Sequence, residues 1–462
     1  MKIKLRILIS IFLVAGLVVG LVLQQNVDAV VPGVNQLVTY NATNTAPSVN
    51  GGTVRAHVSE DGNIVAWTSS SHDVITGDTS QWSTLYVRNL QTGATSFANL
   101  DVLGAPAALN IQDFAMSRTG RFIAFSTSNT NMVTSPVIAP VGGGPYPHVY
   151  LRDTLLGVTK LVDQSASGAV ANIGRGSGTA HPYAINVSDD GRFVTFISVA
   201  TNLLATNNPV SPNYDMHLYV KDMLTGQIIN PTTSNAGLRA NASTLGGVDT
   251  SCDGSLLIFN SASTNLTPQD NGNNNVYIVD LRNGYNIANI THASNNGASA
   301  ISISCSGRYV VMASKSTNLT TDTVSGVNSH IFRFDRLTNK YALIDKSSSG
   351  YISSAQSASG LSGTVSDDGK VVFFGQDPAL VTPAALNSFE IYVRDPEAGT
   401  TELVPVDSSG IERGLGSNTL EMFKTLQLSS NGKAVIYKSY ATNLIPGIGA
   451  GSEYKLVLSK ID

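Results

Sequence analysis

Short runs of alternating apolar and polar residues recur along the chain, and the same turn phrase introduces them. The phrase is an apolar or Thr residue, Ser, two further residues and Gly. It reads Val58-Ser59-Glu60-Asp61-Gly62 in its first copy and Met116-Ser117-Arg118-Thr119-Gly120 in its second. It returns as Val187-Ser188-Asp189-Asp190-Gly191, Thr250-Ser251-Cys252-Asp253-Gly254 and Ile303-Ser304-Cys305-Ser306-Gly307. The last copies are Val365-Ser366-Asp367-Asp368-Gly369 and Leu428-Ser429-Ser430-Asn431-Gly432, so the phrase recurs at intervals of 53 to 71 residues. Asp-Gly or Asn-Gly between alternating apolar runs predicts a hairpin, because Gly takes positive φ at little cost. A second strand follows directly, as at Phe122-Ile123-Ala124-Phe125 and Phe193-Val194-Thr195-Phe196.

Beyond it lies a Thr-Asn-Leu turn in several copies, at Asn202-Leu203, Asn265-Leu266, Asn318-Leu319 and Asn443-Leu444. A variable loop then leads to a third strand, such as Leu85-Tyr86-Val87-Arg88, Val149-Tyr150-Leu151-Arg152 or Leu218-Tyr219-Val220-Lys221. Asp153, Asp222, Asp280, Asp335 and Asp395 close this strand, where an Asp side chain caps the next turn. Thr400–Val404 exemplifies the fourth strand. Four short strands per unit in radial repetition predict an all-β fold, a seven-bladed β-propeller of four-stranded antiparallel blades. The seventh unit stops at its third strand, Lys455–Lys460, and the first β-like run of the chain is Gln36–Asn41. Residues 35–43 are therefore expected to complete the last blade, so that the N-terminal strand closes the ring and removes an open edge.

Two regions follow from this reading. Residues 1–29 read as a signal peptide or N-terminal anchor, and residues 35–462 as the propeller. Lys2, Lys4 and Arg6 precede an uncharged apolar stretch from Ile7 to Leu23, and Val27-Asp28-Ala29 offers the small residues of a cleavage site. Either form delivers the remainder across the membrane, to a periplasmic, cell-surface or extracellular location. Charged residues make up 13% of the chain, about half the usual share of a soluble domain. The formal net charge is −4, which gives no field to hold nucleic acid. Contact with a membrane is expected only through the N-terminal segment, and the propeller is expected to be monomeric.

The Ser-x-Asp-Gly-[Arg/Lys] hairpin, the Asn-Leu turn and the Tyr-Val-Arg-Asp strand resemble those of TolB-like, WD-repeat-like propellers of bacterial envelope proteins. The resemblance covers nearly everything after residue 35. It implies a binding platform without a shared catalytic set, and an envelope protein or glycan as partner. TolB-like propellers usually have six blades and a preceding separate domain; this chain departs on both counts.

Cys252 and Cys305 occupy the same slot in neighbouring units. With innermost strands about 7–8 Å from the axis, equivalent Cα atoms of adjacent blades would lie about 6–7 Å apart, near disulfide range. Export favours a bridge; two unlinked thiols are the alternative. A second set is the position just before the repeated Ser and its apolar or Thr partner: His57, Ala115, Asn186, Asp249, Ser302, Thr364 and Gln427. By strand alternation these side chains are expected to point together, toward the axial channel or the grooves beside it. His57, Asn186, Asp249, Ser302, Thr364 and Gln427 are accordingly the candidate binding residues, with a wetted channel wall as the plainer reading.

The other histidines, His72, His148, His181, His217, His292 and His330, are expected in loops and lack metal-ligand spacing. No metal or cofactor is predicted: Asp270–Asn275 has calcium-loop composition but no later bidentate Glu. Neither a G-x-S-x-G elbow nor a phosphate-binding loop occurs in the sequence. The expected function is a non-enzymatic platform for a protein or glycan. Specificity would lie in loops 129–148 and 202–217, with Trp82, Tyr146, His148 and Tyr214 as exposed aromatics. The alternative is a polysaccharide-active enzyme, a lyase or glycosidase, with carboxylates in the channel mouth.

Overall fold

The computed structural model describes residues 35–48, 55–78, 80, 82–135, 147–172, 185–204, 217–242, 247–355, 357–358, 364–381, 390–404, 425–439, 444–445 and 455–461. Seven separate four-stranded antiparallel sheets account for the strands, and no α-helix occurs among the described residues. The fold is the seven-bladed propeller that the repeats predict. Blade one comprises Ala56–Val58, Ile64–Ser69, Thr84–Asn89 and Thr95–Phe97, with consecutive strands paired in order. The first strand of each blade lies toward the axis and the last at the rim. The segment 1–29, its cleavage site, and the loop residues Tyr146, His181 and Tyr214 lie outside the described residues.

Blade seven is a composite. Its strands Gln427–Leu428, Ala434–Ser439 and Lys455–Lys460 are joined at the outer edge by Asn35–Leu37. Asn35 pairs with Ser459 and Leu37 with Val457, and the Val38 amide donates to the Leu456 carbonyl at 2.9 Å. The closing strand is thus shorter than the predicted 35–43, because the chain turns away after Val38 into a turn at Asn41. Asn35 fastens it: its Nδ2 donates to the Leu444 carbonyl at 3.1 Å, while its Oδ1 accepts from Tyr437 at 3.3 Å and from Ser459.

The repeated residues have local work to do. Ser59 Oγ accepts the Ile64 amide at 2.8 Å and donates to Asp61 at 2.6 Å, which holds the hairpin shut. Ser188 repeats both bonds with Phe193 and Asp190. The Arg after the hairpin Gly forms a two-pronged pair with the Asp closing the third strand, at Arg121–Asp153, Arg192–Asp222 and Arg308–Asp335. The Arg308 fork holds the Asp335 carboxyl down at about 2. The Thr-Asn-Leu turn is a clasp: Asn202 Oδ1 accepts from the Asn172 amide at 3.0 Å and Asn172 Oδ1 from the Thr201 amide at 3.0 Å. Asn241 with Thr264 and Asn265, and Asn295 with Thr317 and Asn318, repeat it.

The core lies between blades rather than within one. Val65, Trp67, Ile436 and Leu458, from the first and last blades, belong to one buried cluster. The third-strand tyrosines are fully buried, which removes about 150–250 Å² per ring from water. Their hydroxyls find backbone acceptors, Tyr86 on Ser71 at 2.8 Å and Tyr150 on Asn129 at 3.1 Å. Each ring also packs on a second-strand aromatic, as Tyr277 does on Phe259 at 5.2 Å between centroids.

Candidate functional site

One end of the axial channel gathers the candidate residues. His57, Ala115, Asn186, Asp249 and Gln427 line a common cavity with Arg118 and Asp189. Ser302 and Thr364 do not line it; both are fully buried in the adjoining wall.

The ring residues reach from blade to blade. Asn186 Nδ2 donates to the Val248 carbonyl at 2.9 Å. Asp249 Oδ2 accepts from Ser302 Oγ at 3.1 Å and from the Ile303 amide at 3.0 Å, and Ser302 Oγ in turn accepts the Thr364 amide at 3.2 Å. Gln427 Oε1 accepts the Val58 amide at 3.2 Å, and its Nε2 donates to His57 Nδ1 at 2.9 Å. The His57 ring meets Phe114 edge-on, with centroids 4.9 Å apart. Behind them Arg55 forms a buried ion pair with Asp113, again between the first two blades. The ring contact apart, each of these side chains bonds a polar group on the neighbouring blade.

The slot after the repeated Ser forms a second belt at the channel mouth. The Glu60 amide donates to the Arg118 carbonyl at 2.7 Å, that of Asp189 to Cys252 at 2.7 Å, and that of Cys252 to Cys305 at 3.0 Å. Asp189 Oδ1 accepts the Arg118 amide at 2.7 Å. Cys252 and Cys305 are joined in a disulfide with their Cα atoms 4.6 Å apart. The belt draws adjacent blades closer than the 6–7 Å expected from strand positions alone, within bonding range. Arg118 and Asp189 were not among the sequence candidates. The signal existed, because they share the cysteines' slot, and a cysteine pair placed at the mouth places them there as well.

Burial governs the electrostatics. It pushes the Asp249 carboxyl above its ordinary value, against the pull of Arg118 and the Ile303 and Thr250 amides. It raises Asp189 as well, against the Arg118 amide and guanidinium. Burial, reinforced by Arg55 and Arg118, holds His57 well below 6.5, so its ring is neutral. The site therefore contains two carboxyls of raised pKa beside a guanidinium. The space between them is only about 40 Å³, enough for roughly three waters. The Asp189 carboxylate and the two sulfurs lie within 4.8 Å of one another, yet a metal requires thiolates and both sulfurs are committed to the disulfide.

Several loop expectations change. His148, His217 and His330 open third strands. His148 and His330 are buried, and their Nδ1 atoms meet Asp163 and Asp345 at 2.8 Å. His148 is thus not an exposed aromatic, whereas Trp82 is 48% exposed. Asp270 accepts from the Leu266 and Thr267 amides and the Thr267 hydroxyl, capping its turn.

No family model matches the sequence, and no curated protein does. Among solved structures, an oligogalacturonate lyase in complex with manganese is similar over 94% of this chain and 99% of its own, at 11% identity and a TM-score of 0.49. TolB from Acinetobacter baumannii covers 81% of this chain with 75% of its own, at 14% identity and a TM-score of 0.38. The β-propeller domain of the Trilobed protease from Pyrococcus furiosus, with an open velcro topology, covers 88% with 94% of its own, at 12% identity and a TM-score of 0.47. These likenesses concern the propeller fold and carry no argument about activity.

Proposed function

We propose that the chain is an exported, non-enzymatic binding platform for an envelope protein or a glycan. The observation that carries this reading is the state of the axial site: about 40 Å³ of free space, too little for a sugar ring. Asp249, Ser302, Asn186 and Gln427 are engaged in joining blades, so the polar ring is better explained by closure than by chemistry. Recognition then falls to the outer surfaces that a rigid ring presents. Screening the full chain against a glycan array, with pull-down from envelope extract, tests the reading. A specific ligand supports it; a chain that binds nothing yet turns over a polysaccharide overturns it.

One observation favours the enzyme reading. Asp189 and Asp249 both have raised pKa values next to Arg118, the pattern that acid–base catalysis requires. A lyase or glycosidase acting there must first open the cavity, and its activity would vanish on replacing either carboxyl.

A further inference from the structure

Two grooves on the rim share one construction and one charge pattern. The first runs between blades two and three, bounded by the Met132–Ser135 turn, the outer strand Val158–Leu161 and Lys221 of the next blade. The second runs between blades five and six, bounded by 318–322, the outer strand Lys340–Leu343 and Arg394. Their volumes are about 560 and 730 Å³, within the usual range of small-ligand sites.

Each groove sets three cations against one acid, in a chain whose net charge is −4. The first has Arg152, Lys160 and Lys221 with Asp101; the second has Lys340, Lys346 and Arg394 with Asp322. The acids are occupied: Asp101 accepts Asn131 Nδ2 at 2.7 Å and two turn amides, and Asp322 pairs with Lys346 at 2.6 Å. The key cations bond neutral atoms only. Lys221 Nζ donates to the Gln164 and Gly226 carbonyls at 2.6 and 2.9 Å. Arg394 donates to the Ser347 and Gly399 carbonyls and to the Thr401 hydroxyl, and Arg152 to the Thr159 hydroxyl. Burial draws the Lys221 pKa down, against the pull of Asp163 and Asp222. By contrast, the more exposed Arg121, Arg192 and Arg308 each face a carboxylate. The same strand position holds Arg88 in blade one, bonded to Thr95 as Arg152 is to Thr159, whereas Val279 and Phe334 stand there in blades four and five.

We propose that these two rim grooves are equivalent sites for an anionic saccharide carrying carboxylates, such as an oligouronate. The cations would take the carboxylates, the hydroxyls of Ser135 and Thr320 would meet sugar hydroxyls, and Val133 and Leu319 would meet ring carbons. A free phosphate leaves grooves of this size mostly empty. The assignment rests on the platform reading and narrows its ligand.

Calorimetric titration of the full chain with oligouronates is the test, alongside the methyl-esterified oligomer, inorganic phosphate and an acidic peptide. Two sites per chain are expected, weakening with salt. Lys160 and Lys340 are exposed, so Lys160→Glu and Lys340→Glu should each weaken one site roughly tenfold without unfolding the chain. The double variant should weaken both. Equal binding of the methyl ester, preference for phosphate or acidic peptide, or oligouronate binding unchanged in the double variant would overturn the proposal. If the double variant still binds a neutral glycan or a protein, the platform reading stands while this assignment falls. A chain that binds no ligand of any class loses both.

Discussion

Gly62 of the first blade packs against Ala434 of the last, where an added Cβ would lie 3.3 Å from the Ala434 Cβ. This is the ring-closing instance of a contact that recurs around the propeller: Gly120, Gly191, Gly254 and Gly307 rest on Ile64, Phe122, Phe193 and Leu256, at the start of the preceding blade's second strand. At Gly191 the neighbour is Phe122, 2.5 Å from a Cβ, and φ is +69°. Gly191→Ala should therefore cost roughly 2–4 kcal/mol, from left-handed strain and overpacking together. Gly226 has φ +74° with nothing within 4 Å, so Gly226→Ala should cost only about 1 kcal/mol. Denaturant unfolding of the two variants checks the difference.

The closing strand hangs on Asn35, whose side chain bonds Leu444, Tyr437 and Ser459 in a buried site. Asn35→Ala should lower stability by about 1–3 kcal/mol through the partners left unpaired. Deleting residues 35–43 should expose the edge of Lys455–Lys460 and give an aggregating protein. Thermal melts and light scattering report both; unchanged stability of the deletion would contradict strand closure.

The Cys252–Cys305 bridge spans a sequence separation of 53. On the chain-entropy model it contributes roughly 4 kcal/mol. Mass spectrometry under non-reducing conditions should find no free thiol, and the Cys252→Ser, Cys305→Ser double variant should melt earlier than the oxidised parent. Two free thiols in the native protein would refute the bridge.

His57 supplies the pH dependence. Its folded pKa lies well below 6.5 because it is buried beside Arg55 and Arg118. Below pH 6.5 the unfolded chain takes up a proton that the folded chain refuses, so stability falls as the pH drops toward the folded value. The parent should lose more stability than His57→Gln between pH 7 and 5, as read from melting temperatures. Equal losses would show that His57 is not the group concerned.

Much of this architecture was legible because it is local. A Gly at positive φ after Ser-x-Asp dictates a hairpin wherever it falls, and a unit short of one strand points to another that can supply it. The shared slot of Cys252 and Cys305 was enough to suggest their pairing. The bonds between blades were not legible. Nothing in the sequence around Asp249 shows that its carboxylate meets the Ile303 amide, because that contact depends on the angle between blades. His148 and His330 were misplaced for a related reason: their partners Asp163 and Asp345 lie across a loop, and only the pairing makes a buried histidine tolerable. The rim cations looked like ordinary strand-end residues until the grooves beside them were visible.

The proposal that the axial ring closes the propeller and does no chemistry rests on the bonds that Asp249, Ser302, Asn186 and Gln427 make between blades. Its most direct test is a polysaccharide turnover assay on the full chain and on the Asp189→Asn, Asp249→Asn double variant, with ligand binding measured on the same preparations. No turnover by either protein, and the same bound ligand for both, is the expected result. Turnover by the parent that the double variant abolishes would contradict it.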